Sequence, residues 1–440
     1  MGYEARMRLQ TVQIENFRAI RSLTLPLDPA LTVLHGNNAN GKTSVLSAIA
    51  VGLGVIPSLL GRHGGISFKD TDRRTGSSGA GVSLEVLDEP LGLRWTRNQT
   101  ERGGVALKSN TRRLLPGATG LRDYLKELTE ATEANENPTI PVFAFYDTDR
   151  AVFDLPERKR NFRREFNRFD AYIDALARKT SFKALIEWFY AQENAELRQQ
   201  RERKSFDFRS PSLEAVRHAI TRVMPEVSEP HIEHPARFVV RYKPKDGKPE
   251  KLSLEQLSGG YRIILALVAD LALRMSLANP HLDDPLSGEA IILIDEVELH
   301  LHPEWQQRVL GDLRRTFPKA QFIVSTHSPQ VLTTIEPHHI IRLQATSEGV
   351  VAERETGPTF GAKSGDVLEA VMHVDQRPAN KFTETLNEYR NLIAADQADT
   401  QRATALRSML EKLSRDDPAL AAADVEIARR RVMRDFSKRP

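Results

Sequence analysis

Gly36-Asn37-Asn38-Ala39-Asn40-Gly41-Lys42-Thr43 has the spacing Gly-x-x-x-x-Gly-Lys-Thr, the pattern of a loop that grips phosphate. Glycines let successive backbone N–H groups converge on phosphate oxygens, the lysine neutralises the β- and γ-phosphates of a nucleotide, and the hydroxyl ligates Mg²⁺. Lys42 is then the cation, Thr43 a metal ligand, and Ser44 the residue packed beside the loop. A second cluster, Ile291-Ile292-Leu293-Ile294-Asp295-Glu296, is an apolar run ending in two carboxylates. A buried strand would deliver Asp295 to its C-terminal edge to hold the metal, and Glu296 would orient or deprotonate an attacking water. An acidic pair after a strand is common by itself. Beside a phosphate loop it points to hydrolysis of a nucleoside triphosphate with Mg²⁺.

Further segments carry weaker signals. Ser258 precedes Gly259 and Gly260 at the start of a long apolar helix; this reads either as a capped helix or as a second anion site with bare N–H groups. Phe322-Ile323-Val324-Ser325-Thr326-His327 is a strand ending in a histidine, which is structural or, in the company of the other motifs, a sensor of the γ-phosphate. His300 and His302 alternate and could share a cation, but no third ligand is nearby in sequence. Arg158, Lys159, Arg160, Arg163, Arg164 and Arg168 form a basic run, either a nucleic-acid or partner surface or a solvated helix face.

These residues need elements to position them. Alternation over Thr11–Phe17 and Leu23–Leu34, broken at Asp28-Pro29, predicts a hairpin or meander feeding a buried strand, Leu31–Leu34, that runs into the phosphate loop. A helix with Val45, Leu46 and Ile49 follows. Residues 62–81 read as an exposed Gly/Ser/Arg loop, and Val82–Val86 with Leu91–Thr96 as a hairpin continuing the first sheet. Pro141–Tyr146, Phe238–Tyr242, Ile291–Ile294, Gln321–Ser325 and Ile340–Leu343 read as strands alternating with helices, which predicts a mostly parallel α/β core. Expected helical stripes include Leu185, Ile186, Trp188, Phe189 and Leu197, and in the tail Leu406, Met409, Leu410 and Leu413. The expected organisation is residues 1–150 as a first lobe, 151–235 as a helical insertion, 236–350 as a second lobe and 351–440 as a helical tail.

Composition sets outer bounds. The chain has 440 residues, 62 Lys and Arg against 59 Asp and Glu, and no cysteine. Disulfides, thiolate chemistry and cysteine–metal sites are excluded, and a cytoplasmic setting is expected. The net charge of +3 is too small to announce a nucleic-acid binder, although residues 151–210 carry 14 basic against 10 acidic side chains. The uncharged run Thr43–Gly61 is long enough to raise a membrane question. Its glycines, its proline and its phosphate-loop start argue for a core helix, and no membrane association is expected. No targeting segment is expected at the start.

The order of these motifs, phosphate loop, Leu-Ser-Gly-Gly, Asp-Glu and Thr-His, resembles the ATP-binding cassette ATPases. Val12-Gln13-Ile14-Glu15-Asn16-Phe17-Arg18 is similar to the opening strand of the RecF/SMC-like branch, whose arginine approaches the nucleotide. The runs Asn279–Leu286, Ile294–Gln306 and Val324–Pro329 resemble compact bacterial ATPases that overlap the PtuA ATPases of Septu and retron antiphage systems, with Gly365–Met372 as a weaker match in the tail. The resemblance implies a P-loop ATPase head of the ABC type, with a mostly parallel sheet, an antiparallel β subdomain, a helical insertion and a helical tail. It implies a homodimer or higher even oligomer packed head to tail. Each ATP would lie between Arg18, Gly36–Ser44, Asp295, Glu296 and His327 of one copy and Ser258, Gly259 and Gly260 of the other. It further implies a separate nuclease effector, of the HNH kind, under control of the ATPase in antiphage defence. A RecF-like DNA-binding ATPase in repair is the alternative, and a transporter subunit fits the neighbouring motifs poorly. One departure stands out: the family's metal-sensing glutamine after the first lobe is replaced by Tyr146-Asp147-Thr148-Asp149-Arg150.

Overall fold

Strands buried on both faces read as unbroken apolar runs, because nothing in them needs to face water. Four such runs meet in one sheet. The computed structural model describes residues 7–60, 66–88, 91–100, 105–111, 120–148, 165–177, 182–233 and 237–437. In chain order its strands are β1 (Leu9–Phe17), β2 (Ile20–Pro26), β3 (Leu31–His35), β4 (Gly79–Asp88), β5 (Leu91–Thr100), β6 (Val105–Thr111), β7 (Val142–Tyr146), β8 (Val227–Glu233), β9 (Arg237–Tyr242), β10 (Glu250–Ser253), β11 (Ala290–Ile294), β12 (Ala320–Ser325), β13 (Ile340–Thr346) and β14 (Gly349–Arg354). The central sheet has the order β14-β13-β3-β12-β11-β7. All its pairs are parallel except β13 with β14. Leu34 is opposite Ser325, Val324 opposite Ile294, and Ile294 opposite Tyr146. The register therefore brings His35, Ser325, Asp295 and Asp147 to one edge.

The helices are α1 (Lys42–Leu53), α2 (Val55–Leu59), α3 (Leu121–Glu133), α4 (Phe182–Arg203), α5 (Pro211–Val223), α6 (Gly259–Ala278), α7 (Pro303–Gln306), α8 (Val309–Thr316), α9 (Pro329–Leu332), α10 (Ser364–Ala370), α11 (Lys381–Ala394), α12 (Gln401–Leu413) and α13 (Pro418–Ser437). The apolar run that raises the membrane question is α1 and α2, mostly buried inside the molecule. A second sheet, β2-β1-β4-β5-β6, is antiparallel. It packs on α1, where the Trp95 indole donates to the Gly52 carbonyl at 2.9 Å and Arg97 donates to that of Val51. These bonds satisfy carbonyls in the last turn of α1 that have no partner within the helix.

Several expectations shift. Phe238–Tyr242 is β9, but it lies in a separate antiparallel sheet, β10-β9-β8, rather than in the parallel core; a short apolar run does not say which sheet receives it. Residues 66–78 are not simply an exposed loop, because Phe68 and Asp72 are buried. Leu197 on α4, expected in the apolar stripe, is 59% exposed, whereas Leu185, Ile186, Trp188 and Phe189 are buried. Among the basic run, Arg158, Lys159, Arg160, Arg163 and Arg164 lie outside the described residues. Arg168 is spent internally, donating to the carbonyls of Ala278 (2.7 Å) and Pro138, so it is not a docking group.

The chain divides into two compact units, Met1–Val367 and Leu368–Pro440. β14 continues the first unit past residue 350, where the second lobe is expected to end. The second unit holds α11, α12 and α13 around Leu386, Tyr389, Ile393, Leu406, Leu410 and Leu420. Asn380 and Thr400 cap α11 and α12 through the N–H groups of Thr383 and Ala403. Of the expected tail stripe, Leu406 and Leu410 are buried, while Met409 and Leu413 lie one position round the helix and are exposed.

Under β7, the Tyr146 hydroxyl donates to Asp270 at 2.8 Å, and Asp270 also receives Arg274 at 2.8 Å. Arg274 donates in turn to the carbonyls of Ala171 and Ile173, both at 2.8 Å. All three side chains are buried. Removing one partner of a buried ion pair leaves a charge without compensation. Asp270→Ala should therefore cost about 3–5 kcal/mol, read as a fall in the urea midpoint of the first unit, with Asp270→Asn losing less.

Candidate nucleotide-binding site

The phosphate loop leaves β3 through Gly36, whose φ of +143° and lack of a side chain are both required: a Cβ there would sit 2.3 Å from the Leu343 carbonyl oxygen. Asn40 Nδ2 donates to that same oxygen at 2.8 Å, fastening the loop to β13. Ala39 and Gly41 also have positive φ, 66° and 89°, a backbone that turns consecutive N–H groups toward one point. Asn37, Asn38 and Ala39 are exposed at the mouth, and Ser44 is buried at the base. Lys42 is buried, and its Nζ donates to the Gly36 and Asn37 carbonyls at 2.8 and 3.0 Å. Burial holds its ammonium below the ordinary value, opposed by Asp295, Glu296 and Glu298. An anion in the loop would relieve that cost.

Asp295 follows β11 and is buried, and its N–H donates to the Tyr146 carbonyl at 2.8 Å. Thr43 Oγ1 donates to Asp295 Oδ2 at 2.6 Å. Ser325, ending β12, donates its hydroxyl to Asp295 Oδ1 and accepts the Glu296 N–H at 2.8 Å. Glu296 has φ +46°, in the left-handed region that non-glycine residues adopt only when the surroundings fix them. Glu298 closes the edge, accepting from Thr326 Oγ1 at 2.8 Å and from the His327 N–H at 2.5 Å. The Thr43 hydroxyl and Asp295 carboxylate are the hard oxygen donors that Mg²⁺ takes, and the loop's N–H groups with Lys42 suit a polyphosphate. The residues present fit both groups.

Arg18 lies beside α1, its Nη1 donating to Ser47 at 3.2 Å, one turn beyond Thr43. Asp72 holds it through Nε at 2.9 Å and through its backbone carbonyl at 2.7 Å. Ser258 is an N-cap by backbone geometry, but its side chain makes no capping bond and is exposed. Gly260 is required by packing, since a Cβ would meet the His300 carbonyl oxygen at 2.8 Å; among the described residues Gly259 has nothing within 4 Å of where a Cβ would be. Asp147 follows β7 and is buried, accepting from the Thr148 N–H at 2.7 Å; Asp149 and Arg150 lie outside the described residues.

A family model described as "AAA domain, putative AbiEii toxin, Type IV TA system" matches residues 31–333, and another, "AAA ATPase domain", matches residues 7–53. This chain is an ATPase of the first family. "Retron Ec83 probable ATPase" of Escherichia coli is 30% identical over 98% of this chain and 89% of the relative. "Septu protein PtuA" of Bacillus thuringiensis is 29% identical over 32% of this chain and 37% of the relative. Among solved structures, "Crystal structure of the SmcHead bound to the C-winged helix domain of ScpA" matches with a TM-score of 0.48 at 15% identity, covering 79% of this chain and 97% of that one.

Sequence reasoning missed four side chains at the ATPase's nucleotide edge: Asp72, Ser325, Glu298 and the base-of-loop His35. Their partners are 54, 30, 29 and 320 residues away in the chain. Only Glu298 had a local signal, standing two residues past Glu296. His35 Nε2 meets Glu355 at 3.2 Å, joining the end of β3 to the residue after β14. Burial pushes the His35 imidazole down despite Glu355, so the pair is a neutral ring against a carboxylate rather than two charges.

Burial, with Lys42 adding to it, also holds the His327 imidazole below the ordinary 6.5. The folded state then resists protonation that the unfolded chain accepts, so this group's contribution to stability, full above 6.5, is lost as pH falls from there through the lower folded value. A histidine NMR titration of the free ATPase should place its midpoint below 6.5, and Mg-ATP should raise it, because a nearby phosphate favours the imidazolium.

Proposed function

We propose that the ATPase binds Mg-ATP at a head-to-tail dimer interface, hydrolyses it there, and uses the cycle to control a separate nuclease effector, of the HNH kind, in antiphage defence. The observation that carries the catalytic part is the 2.6 Å bond between Thr43 and Asp295, which joins the phosphate loop to the carboxylate pair. Lys42 exchanges the carbonyls of Gly36 and Asn37 for phosphate oxygens. Thr43 and Asp295 hold the cation, which when bound neutralises charge developing on the phosphates. Glu296, fixed by Ser325, takes the proton of the attacking water. His327 donates toward the terminal phosphate, and Arg18, beside Ser47 on α1, contacts the nucleotide.

Exposed Ser258 and Gly259 support the second half of the site coming from another copy. Glycine is a weaker helix former than alanine, yet the described residues leave room for a side chain at 259. A partner's phosphate approaching the N-terminus of α6 supplies a reason. The names of the retron and Septu relatives support the defence role. Asp147, buried at the end of β7, is the polar group offered where the family's glutamine would stand.

Glu296→Gln should lower ATP turnover at least about 100-fold while ATP binding persists and an ATP-bound dimer accumulates in native mass spectra. Undiminished turnover would remove Glu296 from its role. Gly259→Asp should leave melting temperature and ATP binding by the single chain unchanged, and abolish ATP-driven dimerisation. The same mass measurement on protein purified with the products of its neighbouring genes reads the effector and its stoichiometry.

A further inference from the structure

β3 and β13 run in parallel, and their C-terminal halves hold the phosphate loop through Gly36 and the Leu343 carbonyl. Their N-terminal ends, on the opposite edge of the sheet, carry a different cluster. Asp28 stands just before β3, and Glu336, His338 and His339 stand in the turn just before β13. One ligand atom from each of Asp28, His338 and His339 lies within 4.8 Å of the others. His339 Nδ1 is buried without a hydrogen-bond partner among the described residues and sits 3.4 Å from Asp28 Oδ2. His338 Nδ1 is 3.3 Å from Glu336 Oε2, and the two imidazole centroids are 4.0 Å apart.

We propose that Asp28, His338 and His339, with Glu336 at the rim, form a binding site for a divalent transition metal, with Zn²⁺ the ion their donors suit. N–H···O hydrogen bonds fall near 2.9–3.0 Å and weaken beyond about 3.2 Å, so 3.4 Å is long for a bond between Asp28 and His339. It matches the ligand-to-ligand edge of a tetrahedron, about 3.3–3.4 Å for metal bonds of about 2.0–2.1 Å. Two imidazoles with one or two carboxylates are a donor set for zinc rather than for Mg²⁺, which prefers oxygens alone.

The surroundings prepare the ligands. Asp28 Oδ1 accepts the N–H groups of Ala30 and Leu31 at 2.8 and 3.1 Å, which orients Oδ2 toward His339. Burial would raise the Asp28 carboxyl, but those N–H groups, helped by His339 and His338, hold it below its ordinary value. Burial lowers the His339 imidazole and keeps the ring neutral, as a metal ligand must be. Arg314 adds positive charge near His339, which the carboxylates of Asp28 and Glu336 offset. A metal here ties the chain entering β3 to the chain entering β13, and so stiffens the two strands that cradle the phosphate loop.

The full chain, stripped with chelator and saturated with Mg-ADP to fill the nucleotide edge, should take up one Zn²⁺ in competition with a chromophoric chelator, with a rise in melting temperature. Co²⁺ in its place should give the visible absorption of a four-coordinate site. His338→Ala and His339→Ala should each weaken zinc at least about 10-fold. His338 is 56% exposed, so its variant keeps the fold even where the His339 variant does not. His302→Ala, the control at the other histidine pair, should bind as the parent does. No zinc uptake, binding unchanged in His338→Ala, or a loss that follows His302→Ala would each overturn the site.

Discussion

One carboxylate organises the nucleotide edge. Asp295 receives the Thr43 hydroxyl on one oxygen and the Ser325 hydroxyl on the other, and its N–H is taken by the Tyr146 carbonyl. The phosphate loop, β12, β11 and β7 are thus referenced to a single buried group. Burial makes the arrangement exacting, because each lone pair left unmet in a low-dielectric site costs about 1–3 kcal/mol or more. The helix that follows the loop, the glutamate beside Asp295 and the histidine after β12 all inherit their positions from it.

Two supports keep that group in place from below and from the side. The Tyr146–Asp270–Arg274 network locks the far face of β7 to α6, whose N-terminus is the exposed Ser258–Gly259 end. A change in how α6 packs is therefore felt at β7, next to Asp295. On the other flank, Asn40 on the Leu343 carbonyl and His35 on Glu355 fasten the loop to the β13–β14 pair. The antiparallel sheet completes the enclosure by closing the end of α1 with Trp95 and Arg97 and by presenting Arg18, itself held by Asp72.

Much of this edge is legible in the amino-acid sequence. Gly36–Thr43, Asp295-Glu296 and Thr326-His327 are local patterns: each is a short stretch whose chemistry depends on residues adjacent in the chain, and a strand–loop–helix reading places them on the correct elements. The parallel core is legible for the same reason, since strands buried on both faces are continuous apolar runs. Where the reading fails, the deciding contacts are distant or shared between patterns. Phe238–Tyr242 looks like any core strand, and only its antiparallel partners put it in another sheet. Leu197, Met409 and Leu413 match a helical stripe but fall just outside the face their neighbours cover. Arg168 looks like part of a basic surface until its guanidinium is seen on the Ala278 carbonyl.

By itself the sequence determined the class of chemistry, because backbone N–H groups, an ammonium, a hydroxyl and two carboxylates at fixed local spacing act on phosphate whatever surrounds them. Tertiary structure decided how they meet. It set Thr43 against Asp295 across 252 residues, chose Ser325 and Glu298 as the groups that hold Glu296 and His327, and explained Gly260 by the His300 carbonyl while leaving Gly259 open. It also brought Asp28 to His338 and His339 from distant parts of the chain. The physical reason is the sheet register: parallel pairing sums short-range preferences into one edge, and no window of sequence contains the strand order.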